Sequence, residues 1–226
     1  MTSVLLIYPY FNNSHNRSSF RFPPLGVGYV AASLRNASYR VDILDCTFMK
    51  REEALKKAQC AGADVVGIYS MVTMRNDSIW FARNLRENCD LLIAGGPLPS
   101  CDPIPFMNDF DVVVKGEGEE TMLELIRAYD GSFDPQSVQG IVYRKWNYGQ
   151  VKEKQQGEIV FTDPRTLESD LDKIAFPARD LFPNDRYIDY WKKKSGNAAT
   201  TVFTTRGCPF SCEFCSNAVF GVSYRE

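Results

Sequence analysis

The chain has a single histidine, His15, in 226 residues, and no excess of positive charge. Its 26 lysines and arginines stand against 28 acids, a net charge of −2. Without a basic patch there is no electrostatic footprint for nucleic acid and nothing to attract an anionic membrane surface. No apolar run approaches the ~20 residues that cross a bilayer. The start, MTSVLLIYPYF, lacks the basic n-region and small-residue cleavage site of a secretory signal, so the expected location is cytoplasmic. Also missing are a Gly/Ser linker, an internal repeat and a low-complexity tract. Cysteine is present seven times, an odd number with three clustered and four scattered, which is not the paired framework of a small secreted domain. Cys46, Cys60, Cys89 and Cys101 lie in or beside apolar segments, where cysteine is ordinarily a small buried hydrophobe.

What is there is alternation. SVLLIY (3–8), YRVDIL (39–44), DVVGIY (64–69), DLLIAG (90–95) and FDVVVK (110–115) are rich in Val, Ile and Leu and read as strands buried on both faces. Between and after them lie the helical segments LGVGYVAASLRN, REEALKKAQCAG, RNDSIWFARNLRENC, a shorter DPIPFMNDF, and GEETMLELIRAYDG. Strict alternation predicts an α/β fold, a doubly wound parallel sheet of the flavodoxin-like kind, over residues 1–135. Residues 136–195 change pattern. QGIVYRKWNYG and GEIVFTDP predict an appended β-hairpin, and DLDKIAFPARDLFPNDRYIDYW predicts an irregular connector packed through its aromatics. In residues 196–226, NAATTVFTT restores strand character and runs into a cysteine-bearing loop, with SNAVFG as a short helical turn behind it.

That loop, TTRGCPFSCEFCSNAVFG, holds Cys208, Cys212 and Cys215 as C-x3-C-x2-C. Thiolates at this spacing converge on one metal centre when the backbone curls. A structural zinc would need a fourth ligand from His15 or a distant cysteine; a 4Fe-4S cluster with three protein ligands leaves one iron open.

The array resembles the signature of the radical S-adenosylmethionine (radical SAM) family, with Phe214 as the aromatic before the last cysteine and TTRGCP as the entry to the motif. The resemblance implies that Cys208, Cys212 and Cys215 hold three irons, that SAM chelates the fourth, and that reductive cleavage of SAM yields a 5'-deoxyadenosyl radical. Phe210 and Phe214 would contribute to the apolar surround. In that family a barrel follows the motif, and these residues contain only its first strand and cluster loop. The expectation is therefore the N-terminal fragment of a longer enzyme, inactive by itself.

PPLGVGYVAASL, GGPLPS, DVVVKGEGEET and DLDKIAFPARDLF further resemble the cobalamin-binding subclass of radical SAM proteins, which includes C-methyltransferases and the anaerobic oxidative cyclase acting on Mg-protoporphyrin monomethyl ester. The implied cofactors are cobalamin, a 4Fe-4S cluster and SAM. The implied partners are a small-molecule substrate and an electron donor such as flavodoxin or ferredoxin. Ligands of open α/β sheets bind beyond the carboxyl ends of the strands, where glycines admit a bulky group. The candidate contacts are Tyr8, Pro9 and Tyr10 after the first strand, and Ser70, Met71, Val72 and Thr73 after the third. Gly95, Gly96 and Pro97 follow the fourth, and Gly116, Glu117, Gly118 and Glu119 the fifth. Ser70-x-Val72 and Gly95-Gly96 look like the S-x-L and GG elements lining the nucleotide tail, although strand-end glycines also serve as plain turns. GEGEET reads either as a turn with an acid-rich first helical turn or as a ligand or interdomain contact. The D-x-H-x-x-G element of classical cobalamin domains is missing: aligned on Gly26, its histidine falls at Pro23 and its aspartate at Arg21. Cobalamin is therefore expected base-off, without a protein His ligand. A second reading is a flavodoxin-like module binding a flavin or a partner protein, with a structural metal site at the cysteines.

Overall fold

The computed structural model describes residues 2–11, 21–131, 135–145, 157–210, 212–215 and 224–226. His15, the hairpin tip and SNAVFG lie outside them.

Among the described residues seven strands form one sheet in the order β2-β1-β3-β4-β5-β6-β7. They are β1 (Ser3–Tyr8), β2 (Arg40–Asp45), β3 (Val65–Tyr69), β4 (Leu91–Gly95), β5 (Val112–Val114), β6 (Ile141–Arg144) and β7 (Ile159–Phe161). The first five run parallel, with Val4 opposite both Val41 and Val65. The hairpin β6–β7 continues the same sheet antiparallel from β5. Each parallel strand buries alternate residues on opposite sides. Val4 and Leu6 face α1 (Leu25–Asn36) and α5 (Glu119–Tyr129); Leu5 and Ile7 face α2 (Arg51–Ala61) and α3 (Arg75–Leu85). This double burial is why the strands read as near-continuous apolar runs. Among the described residues no helix is long and apolar enough to cross a membrane.

Four expectations are corrected. DPIPFMNDF does not form one helix: α4 (Pro97–Cys101) lies before it, and Ile104–Asn108 is a 3-10 turn started by Pro103. The end of the connector is a helix, α6 (Asn184–Ser195), with Asp185 in its first turn, Lys192 to Lys194 in its last, and Gly196 left-handed at its end. Its Tyr187 and Trp191, one turn apart, are buried. NAATTVFTT is not a strand; among the described residues the ladder near it is a single antiparallel bridge between Arg206 and Arg225, and extended backbone without a neighbouring strand has nowhere to place its hydrogen bonds. Of the four scattered cysteines, Cys46 is buried and Cys89 half-buried, whereas Cys60 and Cys101 are exposed at the ends of α2 and α4.

Candidate functional site

The parallel strands end at one edge, and between β1 and β3 the strand order reverses, the place where open α/β sheets bind ligands. A cavity of about 560 Å3 opens there. Its depth is apolar, formed by Leu6, Gly67, Ile93, Val114 and Met122. Its rim takes Tyr8 from β1, Gly95, Gly96 and Pro97 after β4, and Gly116 to Glu119 after β5. Pro24 to Val27 close one side at the start of α1, and Phe203, Thr205, Arg206 and Gly207 close another.

Three glycines shape this space differently. At Gly67, inside β3, a Cβ would come within 2.8 Å of Leu6 and 3.3 Å of Met122. At Gly96, with φ +103°, it would lie 2.7 Å from the Ser70 carbonyl oxygen, so the turn itself demands glycine. At Gly95 it would meet nothing within 4 Å and its backbone is not left-handed, so the room beside it is open.

Tyr8 stacks on Tyr10 (centroids 6.1 Å apart) and tilts against Tyr69 (5.3 Å). Burial, then the neighbouring Tyr69 and Asp45, push the Tyr8 hydroxyl well above its ordinary range, so it stays protonated at any physiological pH. Pro9 and Tyr10 are buried beneath this edge and do not line the cavity. Ser70 is fully buried: its hydroxyl accepts from Ser78 Oγ at 3.0 Å and its N–H donates to the Gly95 carbonyl at 2.7 Å, which ties β3 to β4. Met71, Val72 and Thr73 stand outside the cavity on the exposed rim, Val72 76% exposed. The structure thus gathers Tyr8, Gly95, Gly96, Pro97, Gly116, Glu117, Gly118 and Glu119 around one cavity and leaves the strand-three residues beside it.

GEGEET does two things. Glu119 and Glu120 occupy the first turn of α5, where the helix dipole favours acids. Glu117 and Glu119 also bind the cysteine-bearing segment: Arg206 reaches Glu117 at 3.0 Å and Glu119 at 2.6 Å, and Arg225 grips Glu117 from the other side. Burial opposes the Arg206 charge, but the Glu119 and Glu117 carboxylates outweigh it and raise its pKa. No local pattern announces this contact, because Arg206 and Glu119 are 87 residues apart in sequence.

Near the other end of the edge, Asp45 at the end of β2 is buried and accepts from Thr47 N–H at 3.0 Å and Thr47 Oγ1 at 2.6 Å, while the Tyr187 hydroxyl of α6 donates to it at 2.5 Å. Burial raises the Asp45 pKa despite these donors. Arg21, at the position of the classical aspartate, lies over the Tyr190 ring at 4.7 Å, and Pro23, at the histidine position, is buried.

Cys208 is half-buried, and Cys212 and Cys215 are exposed; the Cys215 N–H donates to the Cys212 carbonyl at 3.1 Å. Among the described residues no group of three His, Cys, Asp or Glu side chains is arranged to hold a metal ion. The three thiols therefore do not converge in this structure. Phe210 and Phe214 beside them are exposed.

With this geometry in place, the chain can be set beside known proteins. Residues 16–126 match the B12 binding domain. The chain is 33% identical to an uncharacterized methyltransferase of Pyrococcus horikoshii, over 90% of this chain and 42% of that protein. It is 27% identical to the anaerobic magnesium-protoporphyrin IX monomethyl ester cyclase of Rubrivivax gelatinosus, over 98% of this chain and 40% of that one. It spans about two fifths of the length of these relatives. The fold matches that of the cobalamin-dependent S-adenosylmethionine radical enzyme OxsB, solved with aqua-cobalamin and S-adenosylmethionine bound. The TM-score is 0.75 at 20% identity, over 100% of this chain and 30% of that one.

Proposed function

Residues 16–126 belong to the B12-binding domain family, and from that premise we propose that this chain binds cobalamin at the carboxyl rim of its sheet and serves a cobalamin-dependent radical SAM enzyme of the methyltransferase or oxidative cyclase type. The observation that carries the reading is the cavity at the reversal of strand order, with open room at Gly95. Its volume falls within the roughly 300–1,000 Å3 of small-molecule sites. The residues suit the group. The apolar slot between Leu6, Gly67, Ile93 and Val114 would hold the nucleotide tail, and Gly95, Gly96 and Pro97 would let it lie against the backbone. Tyr8, held neutral by burial, brings no charge to the rim. With Pro23 and Arg21 where a classical site has its histidine and aspartate, the cofactor would be held base-off without an imidazole from those positions.

When bound, cobalamin supplies a cobalt centre that carries a methyl group. Cys208, Cys212 and Cys215, apart in this structure, would hold a 4Fe-4S cluster once the loop draws the three thiols together, and SAM would supply the radical. A small-molecule substrate and a flavodoxin- or ferredoxin-type electron donor complete the reading. The flavin or partner-docking alternative is not favoured by the B12 domain match.

The test is an anaerobic titration of this chain with hydroxocobalamin, followed by its visible spectrum. One equivalent bound with a base-off spectrum supports the proposal. A chain that elutes colourless after incubation with excess hydroxocobalamin removes it.

A further inference from the structure

We infer that Arg206 is a latch, a positioning residue that holds the cysteine-bearing segment against the turn after β5 and so closes one side of the cavity beside Gly95. The inference rests on the proposed function only for what fills that cavity.

The Arg206 guanidinium is shared between two carboxylates, Nη1 3.0 Å from Glu117 Oε2 and Nη2 2.6 Å from Glu119 Oε1. It also lies over the Tyr29 ring of α1 at 4.8 Å, and Phe203 stacks on that same ring. Arg225 completes the grip. Its backbone exchanges two hydrogen bonds with Arg206, at 2.9 and 2.8 Å, while its side chain binds Glu117 and donates to the Glu168 carbonyl at 2.7 Å. An exposed ion pair would contribute little. This one is sheltered, with the Arg206 side chain 13% exposed and Glu117 and Glu119 17% each, and it combines forked charge-assisted hydrogen bonds with an aromatic face. Lysine has neither the fork nor the planar face.

The segment needs such an anchor, because Val202, Phe203, Phe210 and Phe214 are all exposed. Another tie is Arg179 of the connector, bound to Thr200 Oγ1 and the Thr201 carbonyl. Phe203, Thr205, Arg206 and Gly207 line the same cavity as Tyr8 and Gly95. An occupant that touches both walls binds the latched form better, and by linkage it stabilises the latch.

The experiment is limited chymotryptic digestion of the whole chain, with and without hydroxocobalamin. Phe203, Phe210 and Phe214 are the reporting sites; Phe161, 54% exposed on β7 and followed by Thr162, is the internal reference. Relative to Phe161, Arg206→Ala is expected to raise cleavage at the reporting sites by about tenfold or more, the ratio for one lost charge-assisted hydrogen bond. Arg206→Lys should restore part of the protection. Glu117→Gln with Glu119→Gln, which also frees Arg225, should loosen the segment at least as much, and adding Arg206→Ala to that pair should raise cleavage far less than it does alone, by the Tyr29 contact only. Hydroxocobalamin should slow these cuts in the wild type, and Arg206→Ala should bind it more weakly. Equal relative cleavage in wild type and Arg206→Ala overturns the latch. Cofactor binding that leaves wild-type cleavage unchanged overturns the closure. A wild type that binds no hydroxocobalamin while Arg206→Ala still loosens the segment sinks the proposed function and upholds the latch.

Discussion

Gly95 and Gly96 are adjacent, and the structure assigns them opposite duties that a pair of substitutions can separate. A leucine at 95 enters open space: its Cβ meets nothing within 4 Å and the backbone is not left-handed. The folded chain should tolerate it, and replacing glycine at a compatible position gains about 0.4–1 kcal/mol by restricting the unfolded chain. Inside an occupied cavity the same side chain overpacks, at about 1–3 kcal/mol. Hydroxocobalamin affinity should therefore fall roughly 5- to 150-fold, while the urea midpoint holds or rises slightly. Alanine at 96 behaves in reverse. Its Cβ would press the Ser70 carbonyl oxygen at 2.7 Å from a φ of +103°, so the fold itself should lose about 1–3 kcal/mol. Visible titration gives the affinity and urea unfolding the stability. Wild-type affinity in Gly95→Leu would refute the placement of the cofactor, and a large loss of stability in that variant would refute the claim that the space is open.

Three further outcomes follow from the same structure. Tyr187→Phe removes the hydroxyl that donates to buried Asp45 and should cost about 1–3 kcal/mol; an unchanged urea midpoint would show that α6 is not anchored there. Because burial raises the folded-state pKa of Asp45 above 3.8, its contribution is full below the unfolded pKa and is lost as pH rises through the folded one. Asp45→Asn should therefore gain stability relative to wild type between pH 4 and pH 7, a range that leaves Asp64 quiet because hydrogen bonds from Ser3 lower its pKa; a constant difference across that range refutes the assignment. Anaerobic reconstitution of the protein with iron and sulfide should give iron-sulfur absorbance that Cys212→Ala abolishes, and an unchanged iron count would remove that ligand.

The sheet was legible because double burial writes itself as continuous Val, Ile and Leu, and α1 emerged with its observed bounds because LGVGYVAASLRN is flanked by Pro24 and the turn at Ser38. The strand-end glycines were legible for a related reason: few other residues fit a left-handed turn such as that at Gly96. α6 was hidden among prolines and aromatics, although Tyr187 and Trp191 at helical spacing and Gly196 behind them were available signals. NAATTVFTT failed for the opposite reason. Its composition suits a strand, but strand character is realised only against a partner, and among the described residues Arg225 alone pairs with this region, at Arg206.

The ion pairs were beyond the reach of any local pattern. Periodicity reports which face of an element is buried, whereas Arg206 meeting Glu119 across 87 residues depends on where the fold delivers two loops. The sequence displayed both halves, the arginine of TTRGCP and the acids of GEGEET, as features of two separate motifs. One motif was read for its cysteines and the other for its helix turn, and the charges that join them were assigned to neither. Phe203, Thr205, Arg206 and Gly207 line the cavity, so its width depends on how far this segment stands from the strand ends. A guanidinium clamped by two carboxylates at the shared wall is a direct way to fix it, because three sheltered charges resist displacement where apolar packing alone would allow sliding.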